Sequence, residues 1–582
     1  MLMNPLSTKP NKILSGLFRQ MVAVNIVINL IQPCNQLIDT ILTGQAYGAD
    51  ALQVYALFLP VSSFLTAASC FFSKGTQVTC SHLMGRGKIS ESNKALGTAA
   101  CMGLAVSVLF MMLMILFSKQ LSVLLGASAD IAGQIQDMSG YLTAYALGIP
   151  AIFLLDTLMC LLQLEGKRNA VVYASLCILI TNALGDLANI YVFKMGLAGM
   201  ALATSLANIF AFVFVLIFFL KRTKMLHLSL RNFHWNYVRK IAVNGTPSLT
   251  YYGSLVIRTA IMNALVLTGL SRGALVSLVV VNNFAVVADV IIGGWGDAVL
   301  LLGGVLYGEK DRSGARTLLK LSGISGALCM GVLTVITIIF AVPISGAFIK
   351  ADEISYIDMT VRAVRITAFY LVPDILQCIT KKYIQAIGCP TYTSVTNFLT
   401  NVIYCCGSAA VLVKIMGSDG LFLSYTVCYI IAMISNIVFV MHVSGKKYDI
   451  REDDYLTYNI ESLAECTQAS ESVYHYCIDK GMQKRKCFLI SLFVEEMSKN
   501  IVEHGFRPEH DNEVMVKIFP AGDTMMVSFK DTCTHFDPIC YYEKVDEGSV
   551  ADSGYGIKLI MKLSKNVVYT SNFNLNNLLV EV

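Results

Sequence analysis

Long apolar runs separated by short polar turns occupy the first three quarters of the chain. Twelve stretches have the roughly 20 mostly apolar residues that a bilayer crossing requires. They fall near 19–43, 51–72, 95–117, 138–160, 170–193, 196–220, 247–270, 274–303, 317–348, 361–385, 392–414 and 420–442. This pattern predicts an all-α polytopic membrane body of twelve transmembrane helices. Beyond residue 445 the rhythm changes. A short strand at Leu456–Ile460 precedes helical periods near 461–480 and 483–505. A hairpin follows, Glu513–Phe519 and Thr524–Phe529 around Ala521-Gly522-Asp523, then a helix near 555–564 and strands to the end. Such an order predicts an α/β sandwich with its helices on one sheet face.

Charge divides the chain at the same place. Of 582 residues 55% are hydrophobic and only 14% charged, where soluble proteins carry about 25% charged. Residues 1–445 are 10% charged with a net charge of +12, whereas residues 446–582 are 27% charged with a net charge of −7. A membrane body with a mildly acidic soluble tail follows, and a basic nucleic-acid surface is excluded. The 17 cysteines are scattered through apolar segments without CxxC or Cys/His ligand spacing, which reads as small buried hydrophobes rather than a metal site. No small-residue cleavage site precedes the first apolar run, so helix 1 is expected to act as an uncleaved anchor. Basic residues cluster before helix 1 and in the even-numbered loops, including Arg86, Lys88, Lys167, Arg168, Lys310, Arg312, Lys381 and Lys382. The positive-inside rule then puts both termini in the cytoplasm, with the body in the plasma membrane.

The membrane body also repeats itself. Gly75 and Gly87 recur as Gly296 and Gly308, and Gly196 and Gly199 as Gly417 and Gly420, each offset by 221; Gln163 and Gly166 recur as Gln385 and Gly388, offset by 222. A constant offset predicts two six-helix lobes of like orientation around a central cleft. The expected domains are 1–222, 223–445 and 446–582.

Four motifs carry a family likeness. Asp39-Thr40 with Gly44 and Gly48, Gly75-Thr76-Gln77 with Gly85 to Gly87, Gln163-x-x-Gly166 and Gly196-Leu-Ala-Gly199-x-Ala201-x-Ala203 resemble the multidrug and toxic compound extrusion (MATE) transporters over about residues 10–445. The resemblance implies an H+- or Na+-coupled antiporter that exports amphipathic small molecules. Ionisable residues inside spans suggest function by themselves, because they are costly there. Counting from the span ends puts Asp39, Asn182, Asp186 and Thr204 at one depth in the first lobe, with Asn182 and Asp186 sharing a helix face. These positions match the cation site of one MATE branch. Pro33 makes a bend in helix 1 plausible. The second lobe departs from the other MATE pattern by carrying Arg258 in the seventh helix, with Asp289 and Asp374 at mid-depth. Arg258 either pairs with one of these acids or meets an anionic group of the substrate in the cleft.

Three further motifs lie in the tail: Glu495-Glu496-x-x-x-Asn500-x-x-x-His504-Gly505 on a helix, Asp531-x-x-x-x-Phe536-Asp537-Pro538 after a strand, and Ser553-Gly554-x-Gly556 opening a helix. Together they resemble the histidine-kinase-like ATPase fold, in the branch of anti-sigma-factor serine kinases. The resemblance implies ATP with Mg2+ held by Asn500, a catalytic Glu496, Asp531 on the adenine amino group, and Gly554 and Gly556 at the phosphates. The family has Gly two residues after the adenine Asp, whereas Cys533 stands here, where a side chain narrows the pocket. No acceptor-histidine segment precedes the domain and no P-loop is present, so an ion gradient rather than ATP is expected to drive transport. The leading expectation is an efflux antiporter with an ATP-binding domain that regulates it or phosphorylates a cytoplasmic protein partner. A membrane-anchored signalling serine kinase and a lipid-linked saccharide flippase are the alternatives.

Overall fold

The computed structural model describes residues 12–128, 133–223, 225–348, 356–447, 455–506, 512–521, 524–533, 538–539 and 564–582. Residues 12–222 form the first lobe: α1 (Lys12–Gly48), α2 (Asp50–Gly85), α3 (Ile89–Leu116), α4 in two pieces (Gln134–Ala146 and Ile149–Leu164, bent by 42°), α5 (Arg168–Phe193) and α6 (Gly196–Arg222). The second lobe repeats the order with α7 (Trp235–Gly269), α8 (Gly273–Gly308), α9 (Arg312–Ile339), α10 (Ile357–Ala368 and Leu371–Ala386), α11 (Pro390–Met416) and α12 (Ser418–Lys447). Among the described residues ten helices are long and apolar enough to cross a membrane, and the bent α4 makes eleven. The predicted seventh span, 247–270, lies within α7. That helix is long enough to cross, but Arg258, Asn263 and the hydroxyls of Thr246, Ser248, Thr250 and Ser254 make it less apolar than the others.

The sequence repeat is also a backbone repeat. Gly166 and Gly388 end the fourth helix of each lobe at φ 73 and 85, and Gly196 and Gly417 open the sixth at φ 68 and 61. Only glycine adopts that left-handed region without steric cost, which explains why these positions stand out in the sequence. The fifth helix of each lobe also contains a π-helical segment, Asn189–Phe193 in α5 and Leu399–Tyr404 in α11.

The lobes meet closely at the end of the body where α2 turns into α3 and α8 into α9. A Cβ on Gly85 would lie 2.3 Å from the carbonyl of Val305, one on Gly75 2.4 Å from that of Ile241, and one on Gly304 2.2 Å from Ser81 Oγ. His82 Nε2 lies 2.6 Å from the carbonyl oxygen of Ala386. This end of the cleft is therefore shut by backbone-level packing of α2 against α7 and α8.

In the tail, α13 (Leu463–Asp479) and α14 (Lys484–Gly505) cover one face of a five-stranded antiparallel sheet. Its strands are β1 (Leu456–Ile460), β2 (Val514–Ala521), β3 (Thr524–Asp531), β4 (Asn566–Thr570) and β5 (Asn576–Glu581), in the order β1-β2-β3-β5-β4. Alternation sorts the two faces. Val514, Val516, Ile518, Val527, Phe529, Leu578 and Val580 pack with Phe493 and Val494 of α14. Lys517, Lys530 and Asn577 face the other way, onto the membrane body. The predicted strands and both helices appear within two residues of their expected limits. The predicted 555–564 helix and the hairpin tip lie outside the described residues.

Candidate functional site

In the first lobe α1 and α5 bring two predicted residues into contact. Asn182 Nδ2 donates to Asp39 Oδ1 at 2.6 Å. Asn182 and Asp186 are fully buried, and Asp186 Oδ1 and Oδ2 and Asn182 Oδ1 have no hydrogen-bond partner among the described residues. Buried polar atoms are ordinarily satisfied. Three orphaned oxygens beside a second carboxylate form an acceptor-only set, which suits a proton or a small hard cation. Asn189 takes no part. Its side chain joins Tyr47 Oη (3.1 Å), the carbonyl of Gly196 (2.9 Å) and the amide of Met195 (3.0 Å), tying α5 to its neighbours. Thr204 donates to the carbonyl of Met200 on its own helix at 3.3 Å, so its hydroxyl is engaged within α6.

The second lobe arranges its polar residues differently from the acid pairing considered for Arg258. Its Nη1 donates to Asn401 Oδ1 at 3.2 Å and to Tyr429 Oη at 3.3 Å, and its guanidinium lies 5.9 Å from the Tyr425 ring centre. Among the described residues no carboxylate oxygen comes within 4 Å of it. Asp374 instead accepts from Gln377 Nε2 at 2.8 Å, and Asp289 is exposed. Of the two expectations for Arg258, the acid pairing rests on depth alone, and depth along a helix does not say which way a side chain turns.

One cluster escaped the sequence reading. Lys74 of α2 and Lys382 of α10 both reach Asp297 Oδ1 of α8, at 3.0 and 3.3 Å, so an ion triad bridges the lobes. Lys381 and Lys382, read above as loop residues, lie inside α10, and Lys381 is buried. A signal was present, since Lys74 and Asp297 flank the repeated pair Gly75 and Gly296. Asp156 was also missed; it accepts from Ser69 Oγ at 2.5 Å.

In the tail, Glu496 and Asn500 stand one turn apart on α14, both half-buried. Neighbouring Glu495 is tied to Lys499 at 2.7 Å. Asp531, at the end of β3, is buried and accepts at Oδ1 from Asn576 Nδ2 (2.7 Å) and from the amide of Cys533 (3.0 Å). Cys533 packs against the end of α14, where a Cβ on Gly505 would lie 3.0 Å from its own Cβ. Gly554, Gly556, Phe536 and Asp537 lie outside the described residues. The opposite sheet face docks on the body through Lys517 to Asp311 (2.5 Å), Lys530 to Glu309 (2.6 Å) and Asn577 to Glu309 (2.8 Å). Phe573, only 4% exposed, joins the core of the body itself, in a pocket shared with Leu14 and Leu17 of α1 and Leu302 and Leu306 of α8.

Comparison with known proteins accords with this architecture. A family model described as MatE matches residues 25–187 and 253–406, more than half of the chain, and a histidine kinase-like ATPase domain model matches residues 461–580. Multidrug export protein MepA of Staphylococcus aureus (strain NCTC 8325 / PS 47) is 24% identical over 180 residues, covering 31% of this chain and 39% of that protein. MepA of Staphylococcus saprophyticus is 25% identical over 179 residues with the same coverage. The chain thus spans about two fifths of the length of these curated relatives. Among solved structures, a MATE protein in complex with MaL6 aligns with TM-score 0.70 at 19% identity, covering 75% of this chain and 99% of that one. A MOP superfamily transporter from Pyrococcus furiosus, reported for the reversed polarity of its binding pocket, aligns at 0.69 and 19%, covering 75% and 98%. At these identities the structural likeness is one of fold. A two-lobed helical body with a matching family model over most of both lobes, followed by a matched sheet domain, establishes that this multi-pass membrane chain belongs to the MatE family and carries a C-terminal histidine kinase-like ATPase domain.

Proposed function

We propose that the chain is an antiporter driven by an H+ or Na+ gradient that exports small amphipathic compounds across the plasma membrane, with both termini in the cytoplasm. The observation that carries this reading is the acceptor-only set of Asp39, Asn182 and Asp186. A buried carboxylate with unclaimed oxygens, Asp186, beside a second, half-buried one, Asp39, is unstable as a charge pair in a membrane interior. Binding a cation there neutralises them and releases it to the lower-potential side, so occupancy and lobe arrangement become linked. One elementary charge moving through 100 mV supplies about 2.3 kcal/mol, enough to shift a two-state equilibrium by roughly fifty-fold. Thr204 and the cleft residues Arg258, Asp289 and Asp374 complete the candidate transport path through lobes 1–222 and 223–445.

The tail, 446–582, is read as an ATP-binding regulatory domain. Glu496 and Asn500, on one face of α14, would act as catalytic or orienting group and Mg2+ ligand, and Asp531 with Gly554 and Gly556 would receive the nucleotide. Its contact with the body through Glu309, Asp311 and Phe573 supports regulation of transport over an independent signalling role. Proteoliposomes containing the full chain test the reading. An imposed pH or Na+ gradient should drive uptake of a cationic dye such as ethidium, and Asp39→Asn should abolish gradient-driven uptake while leaving insertion normal. Uptake unchanged by Asp39→Asn would sink the coupling assignment.

A further inference from the structure

The Asp39–Asn182 contact has a counterpart of opposite charge in the second lobe. In each lobe the first helix presents a charged side chain to an asparagine on the fifth helix: α1 to α5 through Asp39 and Asn182, α7 to α11 through Arg258 and Asn401. Both pairs span 143 residues. Measured against the 221-residue glycine repeat, the second pair sits two residues, about half a helical turn, nearer the tail side, on the same pair of helices. The two amides are turned in opposite senses. Asn182 offers its N–H to a carboxylate, whereas Asn401 donates its own N–H to Ser254 Oγ at 2.9 Å and so turns its oxygen to the guanidinium.

The surroundings differ as well. Among the described residues the first lobe leaves the oxygens of Asp186 and Asn182 unclaimed. Near Arg258, among the described residues, two hydroxyls able to donate are left, those of Tyr370, 3% exposed, and of Thr400 beside Asn401, together with the amide oxygen of Asn397 one turn away; the Tyr370 ring stacks on that of Tyr429 at 5.4 Å. Among the described residues Arg258 hydrogen-bonds only neutral groups, and of the five donors of its guanidinium those on Nη1 are engaged by Asn401 and Tyr429. A guanidinium whose hydrogen-bond partners are all neutral, with carboxylates near but not touching it, keeps donors available to an anion.

We infer that Arg258, Asn401, Tyr370, Tyr425 and Tyr429 form a second binding site, which takes the carboxylate of an amphipathic substrate against an aromatic wall. The inference rests on the transport reading for its physiological meaning, but binding itself requires no gradient. Exposed Asp289 and the nearby Asp374 disfavour a dianion, so a single carboxylate is the preferred group. Its apolar or aromatic body lies along Tyr425 and Tyr429.

Fluorescence polarisation with the purified full chain tests the site, using dansylglycine as probe and its uncharged amide as control. Dansylglycine should bind saturably and at least tenfold more tightly than the amide. Arg258→Gln should weaken it tenfold or more, Arg258→Lys by a smaller factor, and Tyr370→Phe by a few-fold without changing the size-exclusion profile. Equal binding of acid and amide, no saturable binding, or an unchanged affinity in Arg258→Gln would overturn the proposal. If Arg258→Gln does not fold, the acid–amide comparison on the unmodified chain and Tyr370→Phe decide. Absence of gradient-driven dye uptake would count against the antiporter and leave the binding result intact.

Discussion

Lys530 of the tail lies 2.6 Å from Glu309, at the junction of α8 and α9, while Asp531, the next residue on β3, turns to the opposite face and bonds Asn576. Adjacent residues on one strand end thus serve the membrane body and the candidate nucleotide site.

The two acids at this junction should not be equivalent. Burial raises the Glu309 carboxyl above its ordinary range, and Lys530 only partly offsets it. For Asp311 burial is also the largest single influence, but Lys517 and then Lys530 overcome it and hold the carboxyl at about 2. Asp311→Asn should therefore weaken docking by about 2 kcal/mol, and Glu309→Gln by less. The sign for pH follows from the depressed value. Asp311 contributes fully above the ordinary carboxylate range, and its contribution is lost as pH falls from about 4 towards 2. Hydrogen exchange across β2 and β3 reads both variants, and equal effects would contradict this assignment.

Phe573 is the apolar half of the same contact, held at φ 61 in a short helical turn with its ring among residues of α1 and α8. Truncating a buried Phe costs about 3–5 kcal/mol in a well-packed core. Phe573→Ala should accordingly raise exchange at Ile13–Leu17 and along β5, with the α13–α14 layer unchanged. Protection retained at Ile13–Leu17 would mean the ring does not seal this junction.

Asp186 should trade stability against coupling. Its two oxygens are buried without a hydrogen-bond partner among the described residues, so Asp186→Asn removes an uncompensated charge and should raise the thermal midpoint by a few degrees. Gradient-driven uptake should nonetheless fall at least tenfold. A lowered midpoint would show that the carboxylate is held by interactions it does not share with the amide.

Much of this was legible in the sequence, and the reasons are physical. Asp39, Asn182 and Asp186 could be found because ionisable residues in apolar runs are rare and helix spacing fixes which share a face. Arg258 could be found but not its partners, since rotation of a side chain about its helix is decided by packing. Lys381 and Lys382 misled because a positive-inside count treats every lysine as solvated, whereas Lys382 is held by Asp297. The α/β tail was readable from alternation. Its docking face was not, because Lys517 and Lys530 look like ordinary solvent-facing strand residues until Asp311 and Glu309 are brought beside them.

The lobe-bridging triad should act as one unit. Removing Asp297 leaves Lys74 and Lys382 facing each other in a half-buried site, a loss that should approach but not reach the roughly 3–5 kcal/mol of a fully buried broken pair. Lys74→Met with Asp297→Asn should cost less than the sum of the single changes, with a coupling of about 1–3 kcal/mol in a thermal double-mutant cycle. Additive effects would indicate that the lobes are not held through this contact.

Docking and nucleotide binding should be linked through neighbours on β5. Asn577 is held by Glu309, and Asn576 beside it occupies Asp531 Oδ1, the atom expected to receive the adenine amino group. While the tail is docked, strand β5 is anchored and Asn576 competes for that oxygen. Asn577→Ala should therefore raise the affinity of the full chain for a fluorescent ATP analogue by about three- to tenfold. Because linkage is reciprocal, saturating ATP should weaken protection of the docking face by the same factor. If Asn577→Ala leaves nucleotide affinity unchanged while exchange shows the tail released, the two faces of β3 work independently and the tail does not couple nucleotide to transport by this route.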